Sequence, residues 1–172
     1  MTNKYSVAWA AGIFDGSGCV SIGRIHPSAK RTDIVNTIYT LTTKVTAGRK
    51  ETIDHFRKIV GHGSLHTVRP TSAGGSNSHV WIAMARKSET VLRLLRPYLV
   101  TKAKEADIAL EFMALPDLRV KRHGDKKQAR RLLAERRRIY LECRRLKPRW
   151  KTRKNRPVAT PELPRKLSAG SF

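Results

Sequence analysis

Asp15-Gly16-Ser17-Gly18 follows a short apolar stretch, Val7-Ala8-Trp9-Ala10-Ala11-Gly12-Ile13-Phe14. This junction could deliver a polar group to a reaction centre. A helical pattern beginning near Ser6, the expected N-cap, carries it, and Cys19-Val20-Ser21-Ile22 reads as the start of a strand. Glycine costs roughly 1 kcal/mol relative to alanine in a helix. Gly12 and Gly16, four apart on one face, therefore need a reason, and close approach of a second backbone supplies one. Asp15 is the nearest carboxylate. Two residues before the end of its helix it points away from Ser17, which suits hydrogen bonding to local backbone or basic groups better than metal binding. Lys102 opens a later helix and offers a cation.

Trp9 to Val20 resembles the motif of the LAGLIDADG homing endonucleases. Ala10 takes the first position of the nine-letter name, Asp15 the sixth, Ser17 the eighth and Gly18 the last. The resemblance runs through the strand and helix pattern to about Pro116. With one copy of the motif, it implies the homodimeric branch, with Ala11, Gly12, Asp15 and Gly16 at the dimer contact. It also implies an α+β fold with an αββαββα core and an antiparallel saddle sheet, Mg²⁺ as cofactor, and a long, partly palindromic double-stranded DNA site. In the family the eighth position carries an acid that binds the catalytic metal, helped by the backbone carbonyl before it. Here these positions are Ser17 and Gly16. Lys102 stands where related enzymes place a basic residue near the scissile phosphate, and Ala47 where they often carry a polar residue that orients water. Mg²⁺ takes carboxylates, carbonyls and water, and a neutral hydroxyl is a poor substitute. The resemblance, with Ser17 at its eighth position, thus implies DNA binding with cleavage impaired.

The composition points independently to a polyanion. The 172 residues carry 36 Lys and Arg against 13 Asp and Glu, a formal charge of +23. Such an excess makes DNA or RNA the expected partner. The length suits one domain. No apolar run approaches the roughly 18 residues needed to cross a bilayer, and Met1-Thr2-Asn3-Lys4-Tyr5 has no signal-peptide character. A soluble intracellular protein with no membrane partner is expected. Cys19 and Cys143 lie far apart, and both are expected reduced. The six histidines (26, 55, 62, 66, 79, 123) have no metal-ligand spacing.

Taken in order, Val20 to His26 alternates weakly, and Ile34 to Thr46 reads as a long strand. Tyr39, Leu41, Thr43 and Val45 would share an inner face, with Thr40, Thr42 and Lys44 on the other. Arg49 to Val60 has helical spacing, with Gly61 as C-cap. Gly63 to Pro70 and Ser78 to Arg86 read as strands, with a hairpin loop between them and Trp81 in the core. Ser88 and Thr101 are the expected caps of two more helices, the second stopped by Pro116. Candidate DNA contacts are Ser21, Arg24 and His26 in the first strand, Lys30 and Arg31 in the following turn, and Asn36, Thr40, Thr42 and Lys44 in the second. His66 and Arg69 in the third strand and His79 in the fourth complete the set, because a β-ribbon fits the major groove.

The core is expected over residues 1–117, a basic helical extension over 118–147 and a basic, proline-containing tail over 148–172. Asp125 is the expected cap of the extension, with Leu132, Ile139, Cys143 and Leu146 along one stripe. Arg119 to Arg156 holds 18 Lys and Arg against three acids, half of the chain's basic charge. A basic RNA-binding protein, of ribosomal type or assisting intron splicing, also accounts for this charge and the tail. It does not account for Gly12 and Gly16.

Overall fold

The computed structural model describes residues 3–25, 37–70, 74–116 and 126–147. Helix α1 (Lys4–Ser17) leads into β1 (Gly18–Ile25), followed by β2 (Ile38–Ala47), α2 (Lys50–Val60), β3 (Ser64–Val68), β4 (Ser78–Met84), α3 (Arg86–Leu95), a 3₁₀ turn at Arg96–Tyr98, α4 (Ala103–Ala114) and α5 (Lys126–Arg145). The strands form one antiparallel sheet in the order β1-β2-β4-β3, so the α+β architecture with two hairpins stands as expected. Side chains alternate across such a sheet. Val20, Ile22, Tyr39, Leu41, Val45, Trp81 and Ala83 meet the buried residues of all five helices in one core. Ile139, Tyr140 and Cys143 of α5 belong to that same core, which ties the basic helix to the rest of the fold.

Several helix starts differ from the sequence expectation, each because a tertiary partner or an earlier cap wins. Asn3, not Ser6, caps α1, accepting from the Tyr5 N–H at 3.2 Å. Apolar periodicity marks where the helix becomes buried, not where it begins. Ser88 lies inside α3, fully buried, and its hydroxyl accepts from Thr43 at 3.2 Å, pairing two polar groups across the core. The α3 cap is Ala85 at φ 48° and ψ −124°. Thr101 caps nothing; its hydroxyl donates to the Asp15 carbonyl, and α4 follows Lys102. Leu146 lies past the end of α5 and is exposed. Asp125 lies outside the described residues.

Gly61 ends α2 in the left-handed conformation, as expected. Gly63 is more tightly constrained. Its φ is +97°, and a Cβ there would collide with the Trp81 indole nitrogen and stand 2.9 Å from the Ile82 carbonyl. That nitrogen donates to the His62 carbonyl at 2.6 Å. Gly63→Ala should therefore lose about 3 kcal/mol or more, combining backbone strain with overpacking of the core tryptophan. Urea denaturation against the wild type measures this, and a loss below about 1 kcal/mol, the low end of the overpacking range, would contradict it.

Candidate functional site

The end of α1 is anchored by residues 85 positions and more away in sequence. The Asp15 carboxylate accepts from the Val100 N–H at 2.7 Å and the Lys102 N–H at 3.0 Å. The Asp15 carbonyl, which its own helix leaves unpaired, accepts from Lys102 Nζ at 2.9 Å and Thr101 Oγ1 at 3.3 Å; lysine satisfies last-turn carbonyls in this way. Partial burial pushes the Asp15 carboxyl up, but the Val100 and Lys102 amides outweigh it and hold it below the usual carboxylate range. Asp15 is a clamp between α1 and the 100–102 turn. Lys102 is thereby held at the end of α1 by the Asp15 carbonyl, and it forms no ion pair among the described residues.

The unfolded carboxyl has the higher pKa, so it takes up a proton first as pH falls. The stability that Asp15 contributes is complete above about pH 4 and drains away as pH falls through its lower folded value. Asp15→Asn should cost about 1 kcal/mol at pH 7, since its two amide bonds are partly solvent-screened, and should flatten this acid limb. Urea melts of both proteins at pH 7 and pH 3 measure the two effects, and parallel losses on acidification would show that Asp15 carries none of the limb.

Ser17 closes α1 and is exposed, as are Gly12 and Gly16. A Cβ on Gly12 or Gly16 would meet nothing within 4 Å in the chain. Tyr5, Ala8, Trp9, Gly12 and Gly16 thus form an exposed small-and-aromatic stripe, Tyr5 being 79 % and Trp9 38 % exposed, with the Trp9 ring edge-on against His55 at 4.7 Å. Ala11 does not share it; it is fully buried in the chain's own core. Gly18 has a steric role of its own, since a Cβ would collide with the Phe14 carbonyl oxygen. The strand can leave the helix this sharply only without a side chain.

The ligand chemistry for a divalent cation is poor here. Ser17 offers a neutral hydroxyl and Gly16 a carbonyl, while the Asp15 carboxylate is already occupied by two amides. No group of three His, Cys, Asp or Glu residues that could hold a metal occurs among the described residues. The residues present do not fit Mg²⁺.

The sheet face turned away from the helices carries Cys19, Ser21, Thr40, Thr42, Lys44, Thr46, Ser64 and His66, by the strand register. The Ser21 hydroxyl is committed to the Thr42 carbonyl at 3.3 Å. Val68, Ile82 and Met84 add apolar surface to this face, Met84 being 56 % exposed. Sequence reasoning missed these; methyl-bearing side chains can contact thymine methyls. Arg69 is exposed just beyond β3. Two candidates stand elsewhere. Arg24 shares the helix-side face with Val20 and Ile22, and its guanidinium stacks 5.5 Å from the Tyr140 ring centre. His79 also faces the helix side, its Nδ1 3.2 Å from the Thr67 hydroxyl. His26, Lys30, Arg31 and Asn36 lie outside the described residues.

The fold is that of the LAGLIDADG homing endonucleases. At the sequence level no family model and no curated protein matches. Among solved structures, the homing endonuclease I-CvuI, in complex with the I-CreI target, is similar with a TM-score of 0.65 and 18 % identity, covering 87 % of this chain and 88 % of that one. The archaeal intron-encoded homing endonuclease I-Vdi141I, complexed with DNA, matches at TM-score 0.66 and 12 % identity over 84 % and 86 % of the two chains. The LAGLIDADG homing endonuclease I-GzeII, in complex with a DNA target, matches at 0.60 and 14 % identity, over 78 % of this chain and 43 % of its own. No helix among the described residues is long and apolar enough to cross a membrane.

Proposed function

We propose that this chain binds a specific double-stranded DNA site as a homodimer of the homing-endonuclease type, with Ser17 leaving phosphodiester cleavage absent or very slow. The observation that carries this reading is the outward sheet face, where Thr40, Thr42, Lys44 and His66 project from a four-stranded platform in a fold whose solved neighbours were captured on DNA. Net charge of +23 supplies the phosphate attraction, and alternating side chains on paired strands supply base-edge contacts.

The exposed stripe on α1 supports pairing of two copies. A single sheet reads only part of a long site, and two-fold pairing would present the same sheet twice, so the site should be partly palindromic. The overlay with I-GzeII supports a paired unit, since this chain spans less than half of that protein. Cleavage is the weakened part, because two Ser17 hydroxyls would stand at the dyad where two carboxylates are needed.

Selection from a random duplex library tests the reading. A partly palindromic consensus should emerge, with log affinity falling against log salt by about 0.9 for each phosphate contact. Tighter binding to structured RNA than to any duplex would overturn it in favour of the RNA-binding alternative.

A further inference from the structure

Helix α5 sorts its charges by side. Its acids Glu135 and Glu142, together with Glu111 of α4, are all gathered by Arg138, at 2.8, 3.1 and 2.5 Å. Arg130, Arg137 and Arg144 recur at intervals of seven. Glu135 lies two residues from Arg137 and Glu142 two residues from Arg144, which at about 3.6 residues per turn is nearly the opposite side of the helix. The arginine row is therefore free of acid and runs about 21 Å along the axis.

The row also meets the sheet. The Arg144 guanidinium lies 5.7 Å from the Tyr140 ring centre and donates to the Tyr140 hydroxyl at 3.2 Å, while Arg24 of β1 lies 5.5 Å from the same ring centre. Tyr140 is itself held by Tyr39, with ring centres 5.4 Å apart. Two guanidiniums thus share one buried tyrosine, and neither forms an ion pair with a carboxylate among the described residues. At the end of the helix, Lys147 Nζ reaches Cys19 Sγ at 3.4 Å. Cys19 sits on the outward sheet face opposite Lys44. Positive charge therefore continues from the candidate DNA face, around the β1 edge, onto this flank of α5.

We infer that the α5 flank formed by Arg130, Arg137 and Arg144, joined to Arg24 through Tyr140, binds the sugar–phosphate backbone of the same duplex that lies on the sheet. The inference rests on the DNA-binding reading above. Charge complementarity and continuity with the sheet face identify the occupant. Guanidiniums oriented on an aromatic ring are arranged for phosphate oxygens without reading sequence. Tyr140 places two of them, so the flank adds affinity and register but no base preference.

The test is an anisotropy titration of the full chain with its selected duplex across a range of KCl concentrations. Arg130 and Arg137 are exposed and make no ion pair among the described residues, so the double variant Arg130→Gln/Arg137→Gln should fold normally, with an unchanged melting temperature. Its log–log salt slope should become shallower by about 1.8, or about 0.9 for each phosphate that its arginine no longer neutralises, with the base preference unchanged. Arg130→Lys/Arg137→Lys should keep the wild-type slope. An unchanged slope and affinity in the glutamine variant, while the wild type binds the duplex, overturns the inference and leaves the sheet reading standing. Loss of structured-RNA binding with duplex binding intact also overturns it. A wild type that binds no duplex overturns both.

Discussion

Ser17→Glu should turn a binding protein into a cutting one. The gain in cleavage rate should be about 100-fold or more, since the several kcal/mol that a metal-assisted centre supplies convert at about 1.36 kcal/mol per tenfold. Ser17 closes α1 at an exposed position, and Lys102 is already tied to the same helix end through the Asp15 carbonyl. The Asp15 carboxylate is bound to two backbone amides and is not free to substitute. A plasmid carrying the selected site, incubated with Mg²⁺ or Mn²⁺, reads the result as linear product. Efficient cutting by the wild-type chain would contradict the proposed loss of activity. Absence of cutting by Ser17→Glu, with binding retained, would show that the rest of the centre, Ala47 included, no longer supports the reaction. Binding by the wild type should equal or exceed that of Ser17→Glu, because an added carboxylate near phosphates is repulsive.

Gly12→Leu should separate folding from pairing. Within one chain a Cβ at Gly12 meets nothing within 4 Å, and the position is exposed. Leucine also favours a helix over glycine by up to roughly 1 kcal/mol. The isolated fold should therefore be as stable as the wild type or slightly more so. A partner helix approaching this face would meet two inserted side chains, one from each copy. At about 1–3 kcal/mol for each overpacked contact, dimer affinity should fall by roughly 30-fold or more. Binding to a palindromic site should fall with it, while binding to a half-site is unchanged. Sedimentation velocity across concentration, combined with a thermal melt, tests both halves. A wild type that remains monomeric well above its DNA-binding range would remove the basis of the prediction, and a dimeric Gly12→Leu would move the interface off this stripe.

The elements were legible where periodicity is strong. The inner face of β2, with Tyr39, Leu41, Thr43 and Val45 buried, follows from alternation alone, and Gly61 was identifiable as the end of α2 because only a residue at ease in the left-handed region ends a helix that way. Cap chemistry failed where a side chain had a better distant use. Ser88 and Thr101 are good caps in isolation, yet one pairs with Thr43 in the core and the other ties to Asp15. Local propensities are worth about 1 kcal/mol, and a buried polar pair or a helix junction outweighs them.

The functional surface divides the same way. Composition alone points toward a polyanion as the partner, because no fold can hide an excess of 23 positive charges. The run from Ala10 to Gly18, through the motif it resembles, marks the helix end where the proposed centre would lie, and it shows directly that Ser17 brings no carboxylate there. Which strand residues face outward was decided only by register. Arg24 and Lys44 are equally plausible readers in sequence, but pairing places Arg24 on the helix side against Tyr140 and Lys44 on the open face. The anchoring of Asp15 by Val100 and Lys102 was equally out of reach, since groups 85 and 87 residues apart meet only when the sheet and its helices close around one core. Residue type and spacing determine what chemistry is available; long-range packing decides which of those groups stand together.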